Sequence, residues 1–150
     1  INMAAFSCQQ TSELLLEKSP SLSLLHLNIR SLRKHQDDLV ALISLLKHSF
    51  SVICLSETWL SGDEDNLYGL PGYYSEYCNR ELCRGGGSAI LVNSSLTYTC
   101  RSDITFNNIL CESVWLKFNH SVIPLNSRST IIASIYRSPS SSYSDFCNQL

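Results

Sequence analysis

The run Ser51-Val52-Ile53-Cys54-Leu55-Ser56-Glu57-Thr58-Trp59-Leu60 decides how the rest of the chain is read. Val52 to Leu55 is short, apolar and rich in β-branched residues, the composition of a strand buried on both faces. It stops at a polar triplet, Ser56-Glu57-Thr58, just before an aromatic residue. A carboxylate at the mouth of a buried strand loses hydration. It then needs a cation or a basic side chain, unless the strand end simply meets solvent. The residues upstream separate these readings.

Ser21 to Leu27 is apolar enough for another buried strand, with Asn28 at its end. Ser31 offers an N-cap for a helix running to about Lys47. Leu32, Leu39, Val40, Ile43 and Leu46 follow helical spacing, and Lys34, Gln36, Asp37, Lys47 and His48 fall on the wet face. Asp37 and Asp38 therefore read as solvated helix charges rather than catalytic carboxylates. Strand, helix and strand in succession make a βαβ unit, with a right-handed crossover and parallel strands. Parallel strands finish on the same edge of the sheet, so Asn28 and Glu57 are carried to one rim. Open α/β sheets bind ligands at that rim. An amide and a carboxylate brought together there suit a hard cation such as Mg²⁺.

Further along, Ser61 to Gly72 reads as a loop, and its Asp63, Glu64 and Asp65 lack the ligand spacing of a calcium loop. Tyr73 to Cys78 reads as an edge strand, and Ala89 to Val92 as a clear strand after Arg84-Gly85-Gly86-Gly87-Ser88. No helix follows these glycines and no Gly-Lys-Ser/Thr is present, so they read as a hairpin tip rather than a nucleotide loop. From that tip Arg80 or Arg84 would reach a phosphate backbone. Leu96 to Arg101, Ser113 to Phe118 and Thr130 to Tyr136 complete an antiparallel-looking run, which after a βαβ start predicts a mixed-sheet α/β (α+β) fold. Trp115 and Phe118 read as core or sheet-packing aromatics. The last strand delivers Tyr136-Arg137-Ser138-Pro139 to a rim, and a helix is expected to begin near Asp145.

Composition sets bounds on this picture. A chain of 150 residues with 44% hydrophobic and 16% charged residues is globular and has the length of one domain. Its formal net charge of −2 gives no basic signature, although a nuclease needs only a local basic rim. The 7 cysteines are odd in number and irregular in spacing, with no Cys-x-x-Cys pair. That argues against a zinc site and for free thiols in a reducing compartment, with Cys54 a small core residue. No signal-peptide pattern or membrane-length apolar run occurs, so Asn93-Ser94-Ser95 and Asn119-His120-Ser121 read as chance matches to glycosylation acceptors. The expectation is a nuclear or cytoplasmic protein that is not secreted and has no membrane partner. Residues 1–20 read as a poorly ordered lead-in and 21–150 as the folded domain. The start at Ile1 and the stop within a helical pattern at Asn148-Gln149-Leu150 read as a piece of a longer frame.

Several segments occur in a recognisable order: Leu27-Asn28-Ile29-Arg30-Ser31-Leu32, Leu55-Ser56-Glu57-Thr58-Trp59-Leu60, Arg84-Gly85-Gly86-Gly87-Ser88-Ala89-Ile90, Glu112-Ser113-Val114-Trp115 and Ile135-Tyr136-Arg137-Ser138-Pro139. Over about Leu22 to Leu150 the chain resembles the amino-terminal endonuclease domain of Jockey-like non-LTR retrotransposons. That domain belongs to the endonuclease/exonuclease/phosphatase superfamily, with pancreatic deoxyribonuclease and the apurinic/apyrimidinic endonucleases. The resemblance implies the first half of a four-layer α/β sandwich. It also implies an active-site Asn28, a Glu57 that holds Mg²⁺ or Mn²⁺ with Asn28 beside it, and a Tyr136 beside the scissile phosphate. Arg30, Arg84 and Arg137 are weaker candidates for DNA contacts. The implied partners are target DNA and the rest of a retrotransposon polyprotein with its reverse transcriptase.

The departures from the pattern are specific. Ser51 stands where relatives often carry Asp, and Ser138 replaces the first Pro of Arg-Pro-Pro. The family's Gly-Asp-Phe-Asn and Ser-Asp-His motifs, which orient the attacking water and complete the phosphate site, have no counterpart in the chain. Metal-assisted cleavage without them loses orders of magnitude, so the chain is expected to be inactive or nearly so. The alternatives are a non-catalytic remnant or interaction module, and a phosphoesterase of the same superfamily.

Overall fold

In the computed structural model, which describes residues 10–11, 22–80, 85–108, 110–119 and 129–149, Val52–Ser56 forms strand β2 and all of its residues are buried. Strand β1 (Leu24–Asn28) runs parallel to it, with Asn28 opposite Ser56. Helix α1 (Leu32–Leu46) makes the crossover and buries Leu32, Leu39 and Leu46. Val40, expected on the apolar face, is 38% exposed, because one residue past Leu39 the helix has turned by roughly 100° away from the sheet.

Strands β3 (Tyr73–Cys78) and β4 (Ser88–Asn93) complete a sheet of order β1-β2-β4-β3. β4 is antiparallel to both of its neighbours, and β3 is the expected edge strand. The second sheet, β5-β6-β7, is antiparallel and comprises Thr99–Cys100, Cys111–Asn119 and Ser129–Arg137. β7 lies at its edge, with Ile131 48% exposed. The strand expected over Leu96 to Arg101 shrinks to β5. Leu96 instead closes a turn onto the Asn93 carbonyl, and it packs with Tyr98 against the core between the sheets. Helix α2 (Tyr143–Cys147) starts slightly before Asp145, whose N–H is capped by the Ser142 hydroxyl.

The alternation of β2 explains why it reads as continuously apolar. Ile53 and Leu55 join Leu39, Leu91 and Phe50 under α1. Val52 and Cys54 face the other way and meet Ile90, Val114, Leu116 and Phe118 of the inter-sheet core. Each such side chain contributes about 1.5–3 kcal/mol by leaving water. Burial also pushes the Cys54 thiol up to about 11, so it stays a neutral core group. Buried hydroxyls tie the layers together. Ser88 Oγ donates to Ser134 Oγ at 2.7 Å, and Ser134 Oγ donates to the Leu55 carbonyl at 3.1 Å. The expected lead-in, residues 1–20, lies outside the described residues except for Gln10 and Thr11. Among the described residues no helix is long and apolar enough to cross a membrane.

Candidate active site

Three backbone segments meet where β1 and β2 end. The Ser31 N–H donates to the Glu57 carbonyl and the Leu32 N–H to the Thr58 carbonyl, both at 2.8 Å. On the other side the Trp59 N–H donates to the Gly86 carbonyl at 3.0 Å. The exit of β2 is thus held between the start of α1 and the glycine strip that leads into β4. Both strand exits bend sharply enough that Arg30 (φ 46°) and Ser31 (φ 90°) after β1, and Glu57 (φ 57°) and Trp59 (φ 55°) after β2, all take positive φ. Side chains there cost about 1–2 kcal/mol each, and such strain collects at functional sites.

The bend turns Glu57 away from the sheet and onto the rim. Asn28 Nδ2 donates to Glu57 Oε1 at 3.1 Å, at the edge to which parallel pairing brings both strand ends. Among the described residues Glu57 takes part in no ion pair. Both side chains line a cleft of about 550 Å³ that also includes Arg30, Trp59, Arg80, Gly85, Gly86, Tyr136 and Pro139. Asn28, Arg30, Glu57 and Tyr136 are therefore brought together although they arise from both sheets. Burial raises the Tyr136 phenol above its ordinary value, and the negative charge of Glu57 raises it further, while Arg80 and Arg137 act in the opposite direction. Arg137 donates Nη1 to the Ser141 carbonyl at 2.6 Å and does not line the cleft. Arg84 lies outside the described residues.

Behind this rim lies an ion pair whose two members the sequence singles out separately but does not join. Arg80 grips Glu112 with Nε to Oε1 at 2.5 Å and Nη2 to Oε2 at 3.1 Å. Glu112 is wholly buried and also accepts from the Gly87 N–H at 3.3 Å. The Arg80 guanidinium carbon sits 5.6 Å from the centroid of the Tyr136 ring. The glycines are needed here for close approach. A Cβ on Gly86 (φ 74°) would come within 2.7 Å of the Arg80 guanidinium. The strip is a hairpin connection packed against an ion pair, and the strand pairing of β3 with β4 fits that reading. Arg80 lies just past β3 of one sheet and Glu112, 32 residues on, in β6 of the other, so periodicity could not join them.

The donor set fits a hard cation held jointly with a ligand. A carboxylate and an amide at one open rim leave positions for water and phosphate oxygens, as Mg²⁺ prefers. Among the described residues no group of three or more His, Cys, Asp or Glu converges on a metal position, so an all-protein cage of the zinc kind is not formed there.

No protein-family model and no curated protein sequence matches the chain. Among solved structures it is similar to the crystal structure of the AP endonuclease LMAP from Leishmania major, with a TM-score of 0.55 and 20% identity over 78% of this chain. The fold is similar to that of part of this AP endonuclease. The mixed α/β architecture with two sheets is thus the deoxyribonuclease-like one expected from the motifs. The chain spans 40% of the length of that AP endonuclease.

Proposed function

We propose that the chain is the amino-terminal part of a DNA endonuclease domain of a non-LTR retrotransposon, and that its cleft holds a DNA phosphodiester together with a divalent cation. The observation that carries this reading is the convergence of Asn28, Glu57 and Tyr136 on one cleft of an AP endonuclease-like fold. A bound Mg²⁺ or Mn²⁺ supplies polarisation of a phosphoryl oxygen and stabilises charge on the leaving oxygen. Asn28 fixes the orientation of the Glu57 carboxylate by its hydrogen bond. The Tyr136 phenol stays protonated at neutral pH, because its environment raises its pKa, and so donates to a phosphate oxygen. Arg30, exposed at the mouth, meets a neighbouring phosphate.

Cleavage itself is slow or absent in this reading. Among the described residues no histidine or aspartate lines the cleft to activate water. In this reading the chain binds target DNA in the nucleus or cytoplasm and nicks it together with further groups of the polyprotein. The test is fluorescence anisotropy of a labelled DNA duplex, with and without Mg²⁺, beside nicking of supercoiled plasmid. Mg²⁺-dependent binding that Glu57→Ala abolishes, with little nicking, is the expected result. Brisk nicking that Glu57→Ala abolishes would show that the water-activating groups are already present. Binding indifferent to Mg²⁺ and to Glu57 would remove the DNA reading and favour a non-catalytic interaction module.

A further inference from the structure

Asn28 and Glu57 leave one sheet and Tyr136 leaves the other, so the cleft acts as one unit only if the sheets keep a fixed relation. At the cleft end an ion pair contributes to that relation beside the inter-sheet core. Arg80, just beyond β3, forks onto Glu112 of β6 through two hydrogen bonds, and Gly87 at the entry to β4 donates to the same carboxylate. Glu112 is the register partner of Tyr136 across the β6–β7 ladder. The guanidinium that Glu112 holds lies over the Tyr136 ring.

We propose that Arg80 is a positioning residue that, through Glu112, sets the Tyr136 phenol against the Asn28–Glu57 rim, so that one phosphate meets both. This deepens the DNA-backbone reading above and rests on it. A guanidinium bound side-on by a carboxylate has its plane fixed, which a lysine ammonium would not have. A cation held over an aromatic face restrains the ring in turn. The side chains of the pair are only 11% and 0% exposed, so neither partner is available to wander with solvent. Gly86 lacks the side chain that would displace the guanidinium. The Ser88–Ser134 contact also joins the sheets, yet neither residue lines the cleft. It therefore serves as an internal control.

The experiment is Mg²⁺-dependent binding of a labelled DNA duplex to the full chain, read by anisotropy. Arg80→Met alone strands a buried carboxylate and risks unfolding, so Arg80→Met is combined with Glu112→Gln, whose amide oxygen still accepts from Gly87. That pair is expected to weaken binding about tenfold, as is Tyr136→Phe, the loss of one hydrogen bond to a charged group. All three substitutions together should weaken it no more than about tenfold, because they remove one coupled interaction. An additive loss, about a hundredfold, would overturn the proposal. Ser134→Ala should leave affinity within about twofold even where it lowers the melting temperature; an equal loss there would reduce Arg80 to general packing and overturn the proposal. The Arg80 Nε–H signal in ¹⁵N NMR supplies an independent readout. It should move when duplex and Mg²⁺ saturate the cleft, and an unmoved signal counts against the role. If Glu57→Gln and Tyr136→Phe both leave binding intact, the DNA reading itself has failed. If they weaken binding and the Arg80/Glu112 pair does not, only the positioning role has failed.

Discussion

Glu57 and Glu112 both stand close to the cleft, and the protein surrounds them differently. Glu112 is wholly buried in β6, gripped by the Arg80 guanidinium and by the backbone N–H of Gly87. Glu57 is half-buried at the exit of β2, on a strained left-handed residue, with the amide of Asn28 for company. Desolvating a carboxylate is costly unless its charge is met, and Glu112 meets that demand from within the fold. Glu57 takes part in no ion pair among the described residues, and in the proposed reading its charge is met by what enters the cleft. Depth alone therefore does not identify the functional acid. In the proposed reading the functional acid is the one presented at a rim, with no ion-pair partner among the described residues.

This contrast can be broken at the buried pair first. Arg80→Met leaves Glu112 buried without its cation and should lower stability by about 3–5 kcal/mol in urea unfolding. A loss as small as that of a surface substitution would show that water reaches Glu112. Glu57→Gln should behave in the opposite way. Its unfolding free energy should stay within about 0.5 kcal/mol of the parent, while Mg²⁺-dependent DNA affinity falls at least about tenfold with the loss of a charged cation ligand. Ser31→Gly addresses the strain that presents Glu57. At φ 90° glycine is free of the side-chain penalty, so the substitution should stabilise the chain by about 1 kcal/mol in the same urea assay.

The smallest effect belongs to a third glutamate. The backbone N–H of Ser61 holds the Glu64 carboxyl below its ordinary value of 4.5, and Arg33 adds to the effect. A depressed carboxyl contributes stability that is present above that ordinary value and is lost as pH falls through the folded one. Glu64→Gln should therefore flatten the acid limb of the stability–pH curve below about pH 4.5 and leave neutral stability nearly unchanged. An unchanged acid limb would mean that the solvent-exposed Arg33–Glu64 pair is fully screened.

The parts of this arrangement that could be read in advance are those set by local patterning and chain topology. β2 announces itself by its apolar run, α1 by its spacing, and the parallel crossover then forces Asn28 and Glu57 onto one edge. Tyr136 was reached through its place in a familiar order of motifs. The pairing of Arg80 with Glu112 was beyond reach for a physical reason. Arg80 reads as a phosphate contact from a hairpin tip and Glu112 as one member of a motif, and only the stacking of the two sheets shows that they pair in a water-poor interior. The helical pattern also promised burial of Val40, which a single residue of rotation sends to solvent. The strand promised over Leu96 to Arg101 gave way to a turn, because Leu96 and Tyr98 gain more by packing between the sheets than by joining a ladder.

The outer side of β7 has a practical consequence. It carries nine residues at a sheet edge with Ile131 half open to solvent, and its sole charge, Arg137, stands at the far end. Among the described residues no strand pairs with that edge, and such an edge is a template onto which another extended polypeptide can add, so concentrated preparations should self-associate by strand addition. A lysine introduced by Ile131→Lys would act as a gatekeeper and keep the material monodisperse in light scattering without touching the cleft.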